Sequence, residues 1–128
     1  MLEKLVPAIV IALLVIGPVH AGADDYVFEA MKSDVKTGNA AVVTVRLTNK
    51  ATGKPVPDAL IVRTRLDMSP DGMAEHVAPV KAIPGSQPGV YAFQADLSMN
   101  GRWLLSIAAK VQGETETVVG KVTFRATK

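Results

Sequence analysis

From residue 26 to residue 127, apolar and polar residues alternate with a period of two, in blocks separated by turn residues. This pattern constrains the fold more than any other feature. Side chains alternate between the two faces of a strand, so each block has one apolar face that a second sheet must cover. Residues 26–31 put Tyr26, Phe28 and Ala30 on one face. Residues 40–48 put Ala41, Val43, Val45 and Leu47 inward and Thr44, Arg46 and Thr48 outward. Residues 59–66 put Leu60, Val62 and Leu66 inward and Arg63 and Arg65 outward. Residues 76–83 alternate weakly, and Pro79 restricts them to a sheet edge. Three further blocks cover residues 90–97, 102–111 and 115–127. The second of these carries Trp103, Leu105, Ile107, Ala109 and Val111 on one face. Turn residues fill 49–55 and 84–89, Asn100-Gly101 is a strong hairpin signal, and Gln112-Gly113 marks another. No stretch shows a helical period of useful length. About seven short strands in a chain of 128 residues predict one all-β domain, an immunoglobulin-like β-sandwich.

The N-terminus follows a different rule. Lys4 precedes 13 uncharged residues, Leu5 to Gly17, and small or permissive residues follow at Val19-His20-Ala21. This pattern predicts a secretory signal peptide over residues 1–21, cleaved near Ala21 or Ala23, with the β-domain over 22–128. A spanning helix needs about 20 apolar residues. Extending the stretch from Leu5 to Val19 gives the alternative, an uncleaved membrane anchor. The expected destination is an oxidising exported compartment, the bacterial periplasm. The chain has no cysteine, which excludes disulfides, zinc ribbons and thiol catalysis. The net charge is +2 and the charges are scattered singly, so no nucleic-acid tract is present.

Of five methionines and two histidines, Met1 and His20 belong to the export segment, leaving four Met and one His in the domain. Met68, Met73 and His76 fall within nine residues of one Ser/Pro/Asp/Gly-containing loop, 66–76. A thioether normally fills gaps in a core. In a polar loop, thioethers with an imidazole form instead a donor set suited to Cu(I). Strand parity adds a fourth candidate. If residues 59–66 climb, residues 76–83 descend and residues 90–97 climb again, so Met99 reaches the same end. The same count carries Met31 towards that end, where rim packing is its expected role. The alternative reading of the cluster is rim packing with a solvated His76. Other chemistries have less support. Asp67, Asp71 and Glu75 lack the spacing of an EF-hand. Ser69, His76 and Asp71 lack a nucleophile elbow. No glycine-rich phosphate loop is present, and Trp103 alternates inward as a core residue. No enzyme is expected.

The order of strand, Met/His loop, Gly89-Val90-Tyr91 and Met99-Asn100-Gly101-Arg102-Trp103 resembles the YtkA-like/FixH-like family of small exported β-sandwich domains. The resemblance spans roughly residues 39–127. It implies a periplasmic role related to copper or soft heavy metals, tied in some members to cytochrome oxidase maturation. Carried over by position, it puts Met68, Met73, His76 and Met99 at the motif positions. The loop here is sparser in Met and His than in many relatives, and the signal looks cleavable where FixH-type members keep an anchor. Two functions follow as expectations. One is a domain that holds Cu(I) for delivery or tolerance, its affinity falling at acid pH because imidazole ligates only when neutral. The other is a non-metal module whose Met-lined end docks on a periplasmic or membrane protein partner.

Overall fold

The computed structural model describes residues 23–128; the predicted export segment lies outside the described residues. Nine strands are described: β1 (Tyr26–Ala30), β2 (Asp34–Lys36), β3 (Gly38–Asn49), β4 (Leu60–Met68), β5 (Met73–Ala78), β6 (Val80–Ile83), β7 (Val90–Leu97), β8 (Gly101–Lys110) and β9 (Val118–Thr127). They form a four-stranded sheet, β1-β3-β7-β6, and a five-stranded sheet, β2-β9-β8-β4-β5. Neighbouring strands are antiparallel, except β2, which runs parallel to β9. In the immunoglobulin arrangement the first, second, fifth and fourth main strands form one sheet, and the third, sixth and seventh form the other. Here β1, β3, β7 and β6 fill the first set and β4, β8 and β9 the second, with β2 and β5 added at the edges. The fold is the expected immunoglobulin-like β-sandwich.

The core lies between the two inward faces. Val43, Val45 and Leu47 of β3, and Phe93, Ala95 and Leu97 of β7, meet Trp103, Leu105 and Ile107 of β8 and Val118, Val122 and Phe124 of β9. Alternation inward and outward along β9 is strict, as the period-two pattern requires. Phe28 of β1 closes one side of the sandwich by lying directly on Gly120 of β9, where an added Cβ would come within 2.5 Å of its ring. At the end reached by the 84–89 connection, the Tyr91 hydroxyl donates to the Val56 carbonyl at 2.6 Å and accepts the Ala59 N–H at 3.0 Å. It thereby fastens the long β3–β4 connection to β7.

Four expectations from the pattern are corrected. The block 76–83 is two strands in different sheets, because Pro79 has no N–H for a ladder and the chain crosses the sandwich there. Leu60 and Val62, expected inward, are 65% and 46% exposed. A bulge between Ile61 and Arg63 makes Val62 an extra residue in β4 and shifts the alternation, so Ile61 faces the core instead. Asn100-Gly101 does not close a hairpin. β7 and β8 lie in opposite sheets, so residues 98–100 form an arch over the end of the core. Met31 stops short of that end. Its N–H bonds to the Thr44 carbonyl, level with Ala92, about 17 Å along β7 from Leu97.

These positions separate structural from incidental apolar residues. Phe28→Ala is expected to cost about 3–5 kcal/mol in urea unfolding, as for a buried aromatic. Val62→Ser, on the exposed bulge, should stay within about 0.5 kcal/mol of the parent.

Candidate metal centre

β4 does not end at Leu66. It continues through Asp67 to Met68, and the 3-10 turn Ser69–Asp71 with Gly72 returns the chain into β5. Met68 is therefore not a loop residue. It follows Leu66 by two positions, falls on the same inward face, and is fully buried. Its terminal methyl lies beneath Gly101, where an added Cβ would meet it at 2.6 Å. The expected exposed loop is thus a tight turn over a buried thioether. Met73 pairs with Met68 across the β4–β5 ladder and packs half-buried against the core.

The next paired residues are Asp67 and Val77, so Ala74, Glu75 and His76 stand opposite no residue of β4. This wide bulge is held by Arg65, whose guanidinium donates to the Ala74 carbonyl at 2.9 Å. It brings the half-buried His76 ring against Trp103, with centroids 5.4 Å apart and planes tilted by 50°. The Trp103 indole N–H donates to the Met99 carbonyl at 3.1 Å. Met99 itself is 40% exposed on the arch. The structure therefore sets His76 and the Met99 backbone on one indole, at the end of the sandwich where Met68 pairs with Met73. It leaves Met31 elsewhere.

Two carboxylates that the sequence presented only as failed cation or triad letters hold this end together. Asp71 accepts the Arg102 N–H and the Arg102 guanidinium, each at 2.8 Å, and Arg102 also donates to the Pro70 carbonyl at 2.6 Å. Turn and arch are thereby joined. Asp67 is buried; it accepts the Ser69 N–H and the Arg65 guanidinium, each at 2.8 Å. The Arg102 N–H and guanidinium hold the Asp71 carboxyl below its ordinary value. For Asp67, burial pushes upward, but the hydrogen bonds of Ser69 and the charge of Arg65 outweigh it and the net shift is downward. The partners of Asp67 are local in the sequence, with Arg65 and Ser69 each two residues away. The partnership of Asp71 with Arg102, however, needs the arch. Among the described residues, no group of three or more His, Asp or Glu side chains is placed to hold a metal ion.

Residues 20–108 match the YtkA-like family. The chain belongs to the YtkA-like family. The match runs from before β1 into β8 and includes both motifs quoted above. No curated protein matches the chain. Among solved structures, it is similar to the Lin-41 filamin domain, with 18% identity over 80% of this chain and 91% of that one, at a TM-score of 0.45. It is also similar to the ZirS C-terminal domain, with 16% identity over 98% and 84%, at a TM-score of 0.43. In this YtkA-like chain the two motifs do different work. Gly89 and Tyr91 organise the end away from the methionines. There the Gly89 carbonyl accepts the Leu47 N–H at 2.9 Å, and its backbone passes so close to Pro55 that a Cβ would come within 2.5 Å. Met99 to Trp103 join the arch to the Ser69–Asp71 turn.

Gly101 has φ +139°, and an added Cβ would meet both Met68 and Asp71 at 2.6 Å. Gly101→Ala is therefore expected to cost about 1–3 kcal/mol through strain and overpacking. Met68→Ala should cost about 2–5 kcal/mol, and Met68→Leu less than about 1.5. Thermal or urea unfolding measures each.

The acid limb follows from the two carboxylates. Both are depressed in the folded chain, so the unfolded chain binds more protons as pH falls. Their contribution is complete well above 3.8, their ordinary value, begins to fade as pH approaches it, and is lost below it, as pH drops through the folded values. Melting temperature measured against pH should fall on that limb, and Asp71→Asn should flatten it.

Proposed function

We propose that this YtkA-like chain is an exported copper-handling domain. It binds Cu(I) as cargo on Met68, Met73, His76 and Met99, for delivery or tolerance, and is not an enzyme. The observation that carries the reading is the meeting of His76 and Met99 on Trp103. The indole touches the imidazole through its ring and the Met99 backbone through its N–H. One buried side chain thus brings a nitrogen donor and a thioether residue to the same end, beside the paired Met68 and Met73. The donor chemistry fits a soft cation. Thioethers need no deprotonation and have little affinity for hard ions, and an imidazole suits copper. Met73, His76 and Met99 are partly open to solvent, as an exchangeable cargo requires, and Met68 is the buried member of the set. The charge-poor segment before the domain supports export.

The test is an anaerobic Cu(I) titration of the full chain against a competing chelator. Fluorescence of Trp103, the single tryptophan, serves as a second readout. Met73→Ala, His76→Ala and Met99→Ala combined should weaken binding by at least about tenfold and abolish the fluorescence response. Met68→Leu keeps the core filled, so a further loss of affinity there reports the sulfur itself. Equal affinity in parent and triple variant removes the reading.

A further inference from the structure

β5 pairs with β4 only from Leu66 to Met68. Beyond Ala78 the chain leaves for the opposite sheet, so residues 60–65 of β4 have a strand neighbour, β8, on one side alone. The open side runs for about 20 Å. It faces β6, itself the last strand of the other sheet. Beside it is a groove of about 470 Å³ that reaches across β4, lined by Arg63, Thr64 and Arg65 of β4, Val80 of β6, Ala108 of β8 and Val119 of β9 among others. The lining includes two arginines: Arg65 is paired with the buried Asp67 and bonded to the Ala74 carbonyl, and Arg63 is exposed.

We propose that this groove is a docking site for an extended acidic segment of a partner protein. The segment would add to β4 as an extra strand, in the space that β5 vacates. An open strand edge offers backbone donors and acceptors to any extended chain. The side chains decide which chain fits. Arg63 and Arg65 are two positions apart, so both face outward from the same sheet. An added strand must therefore set an acidic residue opposite Arg63, since Arg65 already holds Asp67. Its intervening residues point the other way, towards the Val80 side of the groove, and must be apolar. A second copy of this chain does not fit. Antiparallel pairing of two β4 edges about Thr64 would set the arginines of one copy against those of the other. Arg65 also belongs to the metal end, through Asp67 and the Ala74 carbonyl, so the test rests on Arg63.

The experiment uses the full chain and a ten-residue peptide alternating Glu and Val, followed by amide chemical shifts and calorimetry. Binding should perturb amides of residues 60–65 and 80–83. Arg63, which is exposed, is the variant of choice. Arg63→Glu should weaken the Glu/Val peptide by about tenfold, and a Lys/Val peptide should then bind the variant better than the parent. N-methylation of alternate peptide amides on one edge should abolish binding, because it removes the strand's donors. The proposal is overturned if the Glu/Val peptide does not bind, if its perturbations map elsewhere, if Arg63→Glu leaves affinity unchanged, or if sedimentation shows the same edge occupied by a second copy.

Discussion

A buried indole must put its N–H on an acceptor, because an unpaired donor in the core costs about 1–3 kcal/mol. Trp103 meets that constraint with the carbonyl of Met99. The rest of this end of the sandwich follows from that bond. It fixes the arch between the sheets at residues 98–100. The fixed arch sets Gly101 on the Met68 methyl and Arg102 on Asp71, and it leaves one side of the indole for His76. The core carries no disulfide and depends on packing between two sheets, so closing its end is a structural requirement before it is a functional one.

How far the sequence revealed the fold depends on the interval over which each signal acts. Alternation within a strand spans only a few residues, so the strands of the core and their inward faces could be read directly; β3 and β8 are clear cases. Pairing between strands acts over tens of residues and leaves no local mark. That is why Asn100-Gly101 read as a hairpin although β7 and β8 belong to different sheets. A bulge is a single added residue. It inverts the phase of everything before it, and Leu60 and Val62 were assigned to the wrong face for that reason. Pro79 was legible as a strand breaker, but not as the place where the chain changes sheet.

The candidate site divides in the same way. Strand parity carried Met99 to the end occupied by Met68, Met73 and His76, and the arch and the turn meet there. Parity gave the direction of β1 but not its length, so Met31 was carried too far. Met68 was misjudged because the polar letters after it suggested a loop. The Leu66–Met68 spacing already placed it on the inward face. Asp71 and Arg102 lie 31 residues apart, and their ion pair exists only because the arch brings them together. The residues of the two motifs therefore carry a large structural component. Gly89, Tyr91, Gly101 and Trp103 each satisfy a packing or hydrogen-bond demand of the sandwich.

One local event connects the metal end to the open edge of β4. A strand that stayed in register along β4 would have covered residues 60–65 and held His76 in the ladder. β5 does neither. Its wide bulge at residues 74–76 lifts His76 off the ladder and onto Trp103, and Pro79 then turns the chain into the opposite sheet. The bulge and the crossing fall within six residues, 74–79, and act on the two ends of β4. The first brings an imidazole beside thioethers. The second leaves a backbone edge flanked by arginines. A straighter, longer β5 would have protected the edge and removed the imidazole from the indole, so both surfaces derive from the same short, irregular strand.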